Sequence, residues 1–505
     1  MDRKLVKNEC YKNKKVTVMG LGLFGGGVGA TKFLVSQGAD ITVTDLKSAD
    51  GLSASLKLLN GLPVKFRLGK HYEEDFSNID LLIVNPAVSN DSRFLQIARD
   101  NDVCIDTELN IFFKLCPAPV IGVTGSNGKS TTTTLLGKML KEGKIKTWIG
   151  GNIGVSLLEY LGEIKPNDVV VIEISSFQLE YLSRIEISPH ISIVTNIAPN
   201  HLDRHKTLEN YIDAKKAIIH YQKEDDYVIL NYDDPILRKW ESEIKSSVLW
   251  FSTMKEMEQG AFLNKNEIVF NHNSKSTVIP CSKKIKIKGI HNLQNIMAAS
   301  CAAIVMHADV EAINNVITNF SGLEHRLEYV CSINGVQYYN DSKATTPEAA
   351  IAGIRAFDSL CESDQYQAGN LVRGGQRDHP FSPPLKGGDI GEVVLIAGGY
   401  NKKVSLHQFA QECVKNTKYV ILIGETAKNI QELIQNMKGE KAQPEVYVAT
   451  SLDESVRKAS EVAEAGDVVL LSPACASYDM FTNYEERGKK FKELVAQLDI
   501  CNPAS

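Results

Sequence analysis

Two hydrophobic periods alternate along this chain. Short runs of Val, Ile and Leu, bounded by Gly, Pro, Asn or Asp, read as buried strands. Between them, apolar residues recur every three or four positions, as on helices that cover a sheet. Strands and helices in regular alternation predict an α/β fold with parallel sheets and crossover helices. The first block runs from about Lys15 to Cys116, with strands expected at Val16–Met19, Ile41–Thr44 and Leu81–Val84, and Cys116-Pro117-Ala118-Pro119 closes it. The second has strands at Val120–Val123, Val169–Ile174, Ile191–Asn196 and Val228–Asn231. A polar stretch with a weak hairpin pattern follows from about Glu241 to Lys288, and then helical segments from Asn292 to about Thr318. The third begins near Gly322 and carries Val336–Tyr339, Val393–Ala397, Tyr419–Ile423, Glu445–Val448 and Val468–Leu471. Within it, Ser359–Gly391 is rich in Gly, Pro, Gln and Asp without an apolar period, and reads as a surface insertion.

Composition narrows the function. A chain of 505 residues fits about three domains at roughly 150 residues each. Lys and Arg total 56 against 61 Asp and Glu, a net charge of −5, so bulk charge gives no basis for nucleic-acid or membrane-surface binding. No run approaches the ~18 apolar residues needed to cross a bilayer. Met1 to Lys15 is charged and lacks an apolar segment of the secretory kind. The ten cysteines are scattered with no C-x-x-C pair, which argues against a disulfide scaffold or a structural zinc site. A cytoplasmic protein with reduced thiols is expected.

The strongest chemical signal is Thr124-Gly125-Ser126-Asn127-Gly128-Lys129-Ser130-Thr131, between a buried strand and the helical run Ser130–Leu140. Glycines let backbone N–H groups close around phosphate oxygens, and the helix N-terminus adds a positive field. Lys129 would reach the β- and γ-phosphates and Ser130 would ligate Mg²⁺. The strict P-loop pattern fails only at its first position, Val123. Gly20-Leu21-Gly22-Leu23-Phe24-Gly25 is a second glycine turn after a strand, with Asp45 ending the next strand, as in dinucleotide-binding units. Which nucleotide it holds is open at this level, and a NAD-dependent oxidoreductase is one alternative. Glu173, at a strand end beside the P-loop, is placed for Mg²⁺. By themselves, His201, Lys215, His325-Arg326 and Asp341–Thr345 read as structural or surface residues, with Lys215 on an exposed helix face.

In order along the chain, Thr124–Thr131, Glu173–Glu180, His201-Leu202-Asp203-Arg204, Tyr211–Lys215, His291–Asn295, Gly322–Arg326 and Asn340–Thr345 resemble the Mur ligase family, ATP-dependent amide-forming enzymes of peptidoglycan assembly. Glu173–Glu180 and Leu471–Phe481 are similar to the branch that adds D-glutamate; another ligase of the superfamily, or a folylpolyglutamate synthase, is the nearer alternative. The resemblance implies three domains: Rossmann-like over 1–117, a central P-loop ATPase-like domain with a mostly parallel sheet over 118–321, and a Rossmann-like C-terminal domain over 322–505. It implies ATP held by Gly125, Ser126, Asn127, Gly128, Lys129, Ser130, Thr131, Asn292, Asn295, Arg326 and Asp341. One Mg²⁺ would be held by Ser130 and Glu173, and a second by His201 and a carbamylated Lys215. Lys129, His201, Lys215 and Lys343 would be catalytic. The UDP end of UDP-N-acetylmuramoyl-L-alanine would meet Gly22, Leu23 and Asp45, with Asn152 on the substrate side. D-Glutamate would meet Thr345, Lys402, Ser477, Tyr478 and Tyr484. Phe24, Leu46, Ala87, Tyr478 and Tyr484 depart from the residues usual at these places. A monomer acting on small molecules is expected.

Overall fold

The computed structural model describes residues 11–22, 25–153, 156–264, 267–279, 285–287, 289–357, 391–400, 404–438 and 443–501. Leu23, Phe24 and Lys402, and the expected insertion up to residue 390, lie outside them.

Three sheets organise the chain. The first is wholly parallel: β1 (Lys15–Met19), β2 (Asp40–Asp45), β3 (Val64–Leu68), β4 (Leu81–Val84) and β5 (Cys104–Asp106), in spatial order β3-β2-β1-β4-β5. The order reverses between β1 and β4, and the crevice at such a switch point is where open α/β sheets bind ligands. The turn after β1 lies there. Its Gly20 has φ 84°, and Asn85, from the end of β4, donates through Nδ2 to Gly20 O at 3.2 Å.

The central sheet has nine strands: β6 (Val120–Thr124), β7 (Thr147–Gly151), β8 (Val169–Glu173), β9 (Ile191–Val194), β10 (Tyr227–Asn231), β11 (Ser247–Ser252), β12 (Gly260–Asn264), β13 (Glu267–His272) and β14 (Lys275–Ile279). Their order is β14-β13-β12-β11-β10-β9-β6-β8-β7, with every pair parallel except β12–β13 and β13–β14. The weak hairpin pattern before Lys288 thus becomes the far edge of this sheet. The helix Lys129–Glu142 packs against Ile290–Val305 over one face, burying Leu135, Leu136, Met139, Ile296 and Met297. Burial of each such side chain contributes about 1.5–3 kcal/mol.

The third sheet comprises β15 (Glu328–Ile333), β16 (Val336–Asn340), β17 (Val393–Gly398), β18 (Tyr419–Ile423), β19 (Glu445–Val448) and β20 (Val468–Leu471), in order β15-β16-β20-β17-β18-β19. Only the β15–β16 pair is antiparallel. The expected α/β class with mostly parallel sheets in three domains is therefore what the chain forms. Among the described residues, no helix is long and apolar enough to cross a membrane.

Candidate functional site

The turn after β6 is built by its glycines. Gly125 (φ 144°) and Gly128 (φ 84°) occupy backbone conformations that L side chains rarely adopt. A Cβ on Gly125 would fall well inside 3.0 Å of Thr195 Oγ1, and one on Gly128 equally close to Asn295 Oδ1. The loop is pinned from β9's end, where Asn127 N donates to Asn196 Oδ1 (2.9 Å) and Asn196 Nδ2 donates back to Asn127 O (3.1 Å). Lys129 Nζ folds over the loop and donates to Gly125 O and Ser126 O, both at 2.8 Å.

β8 lies beside β6 with Glu173 opposite Val123, so the carboxylate stands next to the loop. Glu173 is 2% exposed; Oε1 accepts from Asn152 Nδ2 at 2.9 Å, and Oε2 is buried without a hydrogen-bond partner. On the helix Ile290–Val305, Asn292 and Asn295 are three apart and so share a face. Thr132 Oγ1 donates to Asn295 Oδ1 (3.2 Å), and Asn295 Nδ2 donates to Asn292 Oδ1 (3.3 Å).

The third domain closes over this loop. Arg326 NH2 donates to Ser130 Oγ at 3.1 Å, joining the two units. Asp341 accepts from Ser472 Oγ (2.8 Å) and from Leu327 N (3.1 Å); burial pushes its carboxyl up to about 7. Lys343 lies 5.0 Å from the centroid of the Tyr484 ring. Burial brings both Lys129 and Lys343 down to about 8, with the Arg326 charge adding to the shift and Glu173 opposing it. Lys129, Arg326 and Lys343 thus line one cavity with the buried Glu173, and the excess of positive charge suits a polyanion.

A cavity of about 820 Å³ runs between the second and third domains. Ser126 to Thr131, Asn152, Glu173, His201, Asn292, Asn295, Arg326, Asp341, Lys343, Thr345, Ser477, Tyr478 and Tyr484 all line it. His201 sits in left-handed backbone (φ 54°), edge-on to Phe177. Lys215 does not reach the wall. It is 2% exposed, behind the loop, where Nζ donates to Gly125 O (2.9 Å) and, more weakly, to Thr124 Oγ1 (3.4 Å). Burial, then the Lys129 charge, lowers its amine well below the usual range. The exposed-helix expectation for Lys215 is thus corrected: helix Leu208–His220 turns that side inward. Gly22 and Asp45 are in the first domain, where Gly22 N donates to Asp45 Oδ2 at 3.2 Å.

The sequence reading gave no role to several residues of the site. Asn196 and Thr195 clamp the loop. Arg487, 1% exposed, donates to Ser342 Oγ and to the carbonyls of Ser342, Cys475 and Ala476, fixing the segment before Ser477. His205 bridges Ser176 Oγ (3.0 Å) and Glu180 (3.1 Å) and stacks on Phe177 behind His201.

Fold and site together define a chain of three α/β domains with a P-loop-like glycine turn opening on a cavity between the second and third. The comparisons agree. The Mur ligase MurD-like N-terminal domain matches residues 14–106, the Mur ligase middle domain 123–303, and the Mur ligase glutamate ligase domain 385–475. Curated relatives named UDP-N-acetylmuramoylalanine--D-glutamate ligase include one from Acetivibrio thermocellus, 39% identical over 97% of each chain. Another, from Roseiflexus sp., is 41% identical over 95% of this chain and 98% of its own. The fold is shared with UDP-N-acetylmuramate-alanine ligase from Thermotoga maritima, with TM-score 0.59 and 19% identity over 96% and 100% of the two chains. It is shared also with a Thermotoga maritima MurF ligase solved in complex with ADP, with TM-score 0.55 and 17% identity over 98% and 97%. The chain belongs to the Mur ligase family.

Proposed function

We propose that this chain is an ATP-dependent ligase that joins D-glutamate to UDP-N-acetylmuramoyl-L-alanine in peptidoglycan precursor synthesis, forming ADP and phosphate. The observation that carries the reading is that Lys129, Arg326 and Lys343, from two domains, line one cavity with Glu173 beside the glycine loop. In the first step the substrate's alanyl carboxylate oxygen attacks the ATP γ-phosphorus, the bond to the ADP oxygen breaks, and an acyl phosphate forms. In the second, the D-glutamate amine attacks the acyl carbon, phosphate leaves, and the amine gives up a proton. Both steps crowd negative charge, so the chain's contribution is positioning and fixed positive charge. Lys129 and Lys343 supply that charge at the phosphates, and Arg326 ties the third domain to Ser130. Closure between domains keeps water from the acyl phosphate.

The residues suit Mg²⁺: a buried carboxylate oxygen of Glu173 lacks a partner, and Ser130 offers a hydroxyl at the loop. Ser130 and Glu173 would hold one Mg²⁺, and His201 with Lys215 as a carbamate a second; the ions would neutralise phosphate charge. Gly125 to Thr131, Asn292, Asn295 and Asp341 are the ATP contacts of this reading. Thr345, Lys402, Ser477, Tyr478 and Tyr484 take D-glutamate; Tyr478 is 67% exposed at the cavity mouth, accessible to an incoming amino acid. Gly22, Leu23 and Asp45 take the uridine end. The division at 117 and 321 is supported by the three separate sheets. The enzyme acts as a monomer in the cytoplasm, where ATP is available.

Phosphate release tests the function, with ATP, the UDP-linked substrate and a panel of D- and L-amino acids. Release is expected with D-glutamate. Equal release with another amino acid, or without the UDP-linked substrate, would overturn the assignment.

A further inference from the structure

Asn152 stands against the carboxylate on which the nucleotide chemistry depends. β7 pairs with β8 so that Gly151 lies opposite Glu173. Gly151 has φ 93°, and a Cβ there would fall well inside 3.0 Å of Glu173 O and Ile172 Cγ2. Only glycine lets the chain leave the strand so close to β8. The next residue is then tied to Glu173 twice. Asn152 N donates to Glu173 O at 2.9 Å, and Asn152 Nδ2 donates to Glu173 Oε1 at 2.9 Å. A carboxylate only accepts, so the amide must present its nitrogen to it.

The consequence concerns the two oxygens of one side chain. Glu173 is nearly fully buried, with Oε1 fixed by the amide and Oε2 unpartnered. Its charge acts on Lys129, Lys215 and Lys343 alike. Rotation of this carboxylate would change the field at all three amines and the oxygen offered to a cation. Hydrogen bonds to charged groups are among the stronger ones in proteins, strong enough to hold one rotamer.

We infer that Asn152 is a positioning residue for Glu173: its amide holds Oε1 and leaves Oε2 as the oxygen presented to the nucleotide-bound cation. This rests on the ATP-dependent reading above. It differs from the substrate-side role that family resemblance gives Asn152, because the amide is already engaged by Glu173. The role needs a donor at position 152, so Asp, of the same shape but acceptor-only, is the most disruptive replacement.

The test compares the unsubstituted full chain with Asn152→Asp and Asn152→Ala. Mn²⁺ binding in the presence of ADP, read by electron paramagnetic resonance, requires no turnover. The Mn²⁺ dissociation constant should rise at least about tenfold in Asn152→Asp, where two carboxylates face each other, and less in Asn152→Ala. Affinity for UDP-N-acetylmuramoyl-L-alanine without metal or nucleotide should stay within about twofold. Thermal unfolding gives an independent reading. Adding Glu173→Gln to Asn152→Asp restores a donor–acceptor pair and should raise Tm above that of Asn152→Asp alone. If Asn152→Asp fails to fold, Asn152→Ala, which removes the amide donor without adding a charge, carries the same binding comparison. Parental Mn²⁺ affinity in both variants with weakened UDP-substrate binding would overturn the inference and make Asn152 a substrate contact. A double variant no more stable than Asn152→Asp alone would also overturn it. Failure of the unsubstituted chain to bind Mn²⁺ with ADP would instead overturn the ATP reading itself.

Discussion

Replacing Gly128 by alanine changes one methyl group, and the structure indicates what that should cost. Gly128 has φ 84°, and left-handed backbone costs a residue with a Cβ about 1–2 kcal/mol. The new Cβ would also collide with Asn295 Oδ1, which accepts from Thr132 Oγ1 at 3.2 Å. Asn295 is buried and braced by Asn292, so it yields only by giving up a buried hydrogen bond, about 1–3 kcal/mol more. The sum is about 2–5 kcal/mol, at least about thirtyfold in the population of the loop conformation that closes on phosphate. Calorimetric titration with ATP should therefore show at least that loss of affinity in Gly128→Ala, with the far-ultraviolet spectrum unchanged. Gly162→Ala is the control: its Cβ would meet nothing within 4 Å and its φ is ordinary, so ATP affinity should not change. Parental ATP affinity in folded Gly128→Ala would refute the argument that this turn closes around the phosphates.

Further outcomes follow from the same geometry. Lys129→Ala should fold normally and lose on the order of 10³-fold in turnover, because it removes a charge proposed to act on the transferring phosphoryl group; near-normal turnover would remove ATP from this loop. Burial brings Lys129 and Lys343 to about 8, so ATP affinity should fall as pH rises past 8. The stability of the ligand-free protein should move the other way. Between about 8 and the usual lysine range the unfolded chain binds more protons, so these two groups make the folded state more stable as pH rises. Titration and thermal unfolding across pH 7–10 check both signs. The buried Lys215 amine favours the neutral form that adds CO₂. A bicarbonate-dependent ¹³C carbamate signal is expected in the unsubstituted protein and should vanish in Lys215→Met; its absence from the unsubstituted protein would leave Lys215 as a plain lysine.

The parts of the fold that the sequence revealed are those where chemistry is local. Leu81–Val84, Tyr419–Ile423 and Val468–Leu471 form strands with the expected bounds, because buried parallel strands are continuous apolar runs. The strand Val64–Leu68 escapes that reading because Lys65, Phe66 and Arg67 are exposed at a sheet edge, leaving no apolar run to detect. The strands expected to reach Ile174 and Asn196 end at Glu173 and Val194, where the chain turns to face the cavity. Thr124–Thr131 was legible because its chemistry is contiguous. The clamp by Asn196 and the buried Arg487 were not, since their partners lie far off in the chain. Tyr211 and Lys215, four apart, share a helix face, yet nothing in that spacing says the face is buried.

In the proposed reaction a carboxylate is activated as an acyl phosphate and captured by D-glutamate. Substrate labelled with ¹⁸O in both oxygens of its alanyl carboxylate tests it most directly, by mass spectrometry of the products. One ¹⁸O should appear in the released phosphate and one should stay in the amide formed with D-glutamate. Phosphate free of ¹⁸O, or phosphate release that leaves D-glutamate unjoined, would contradict it.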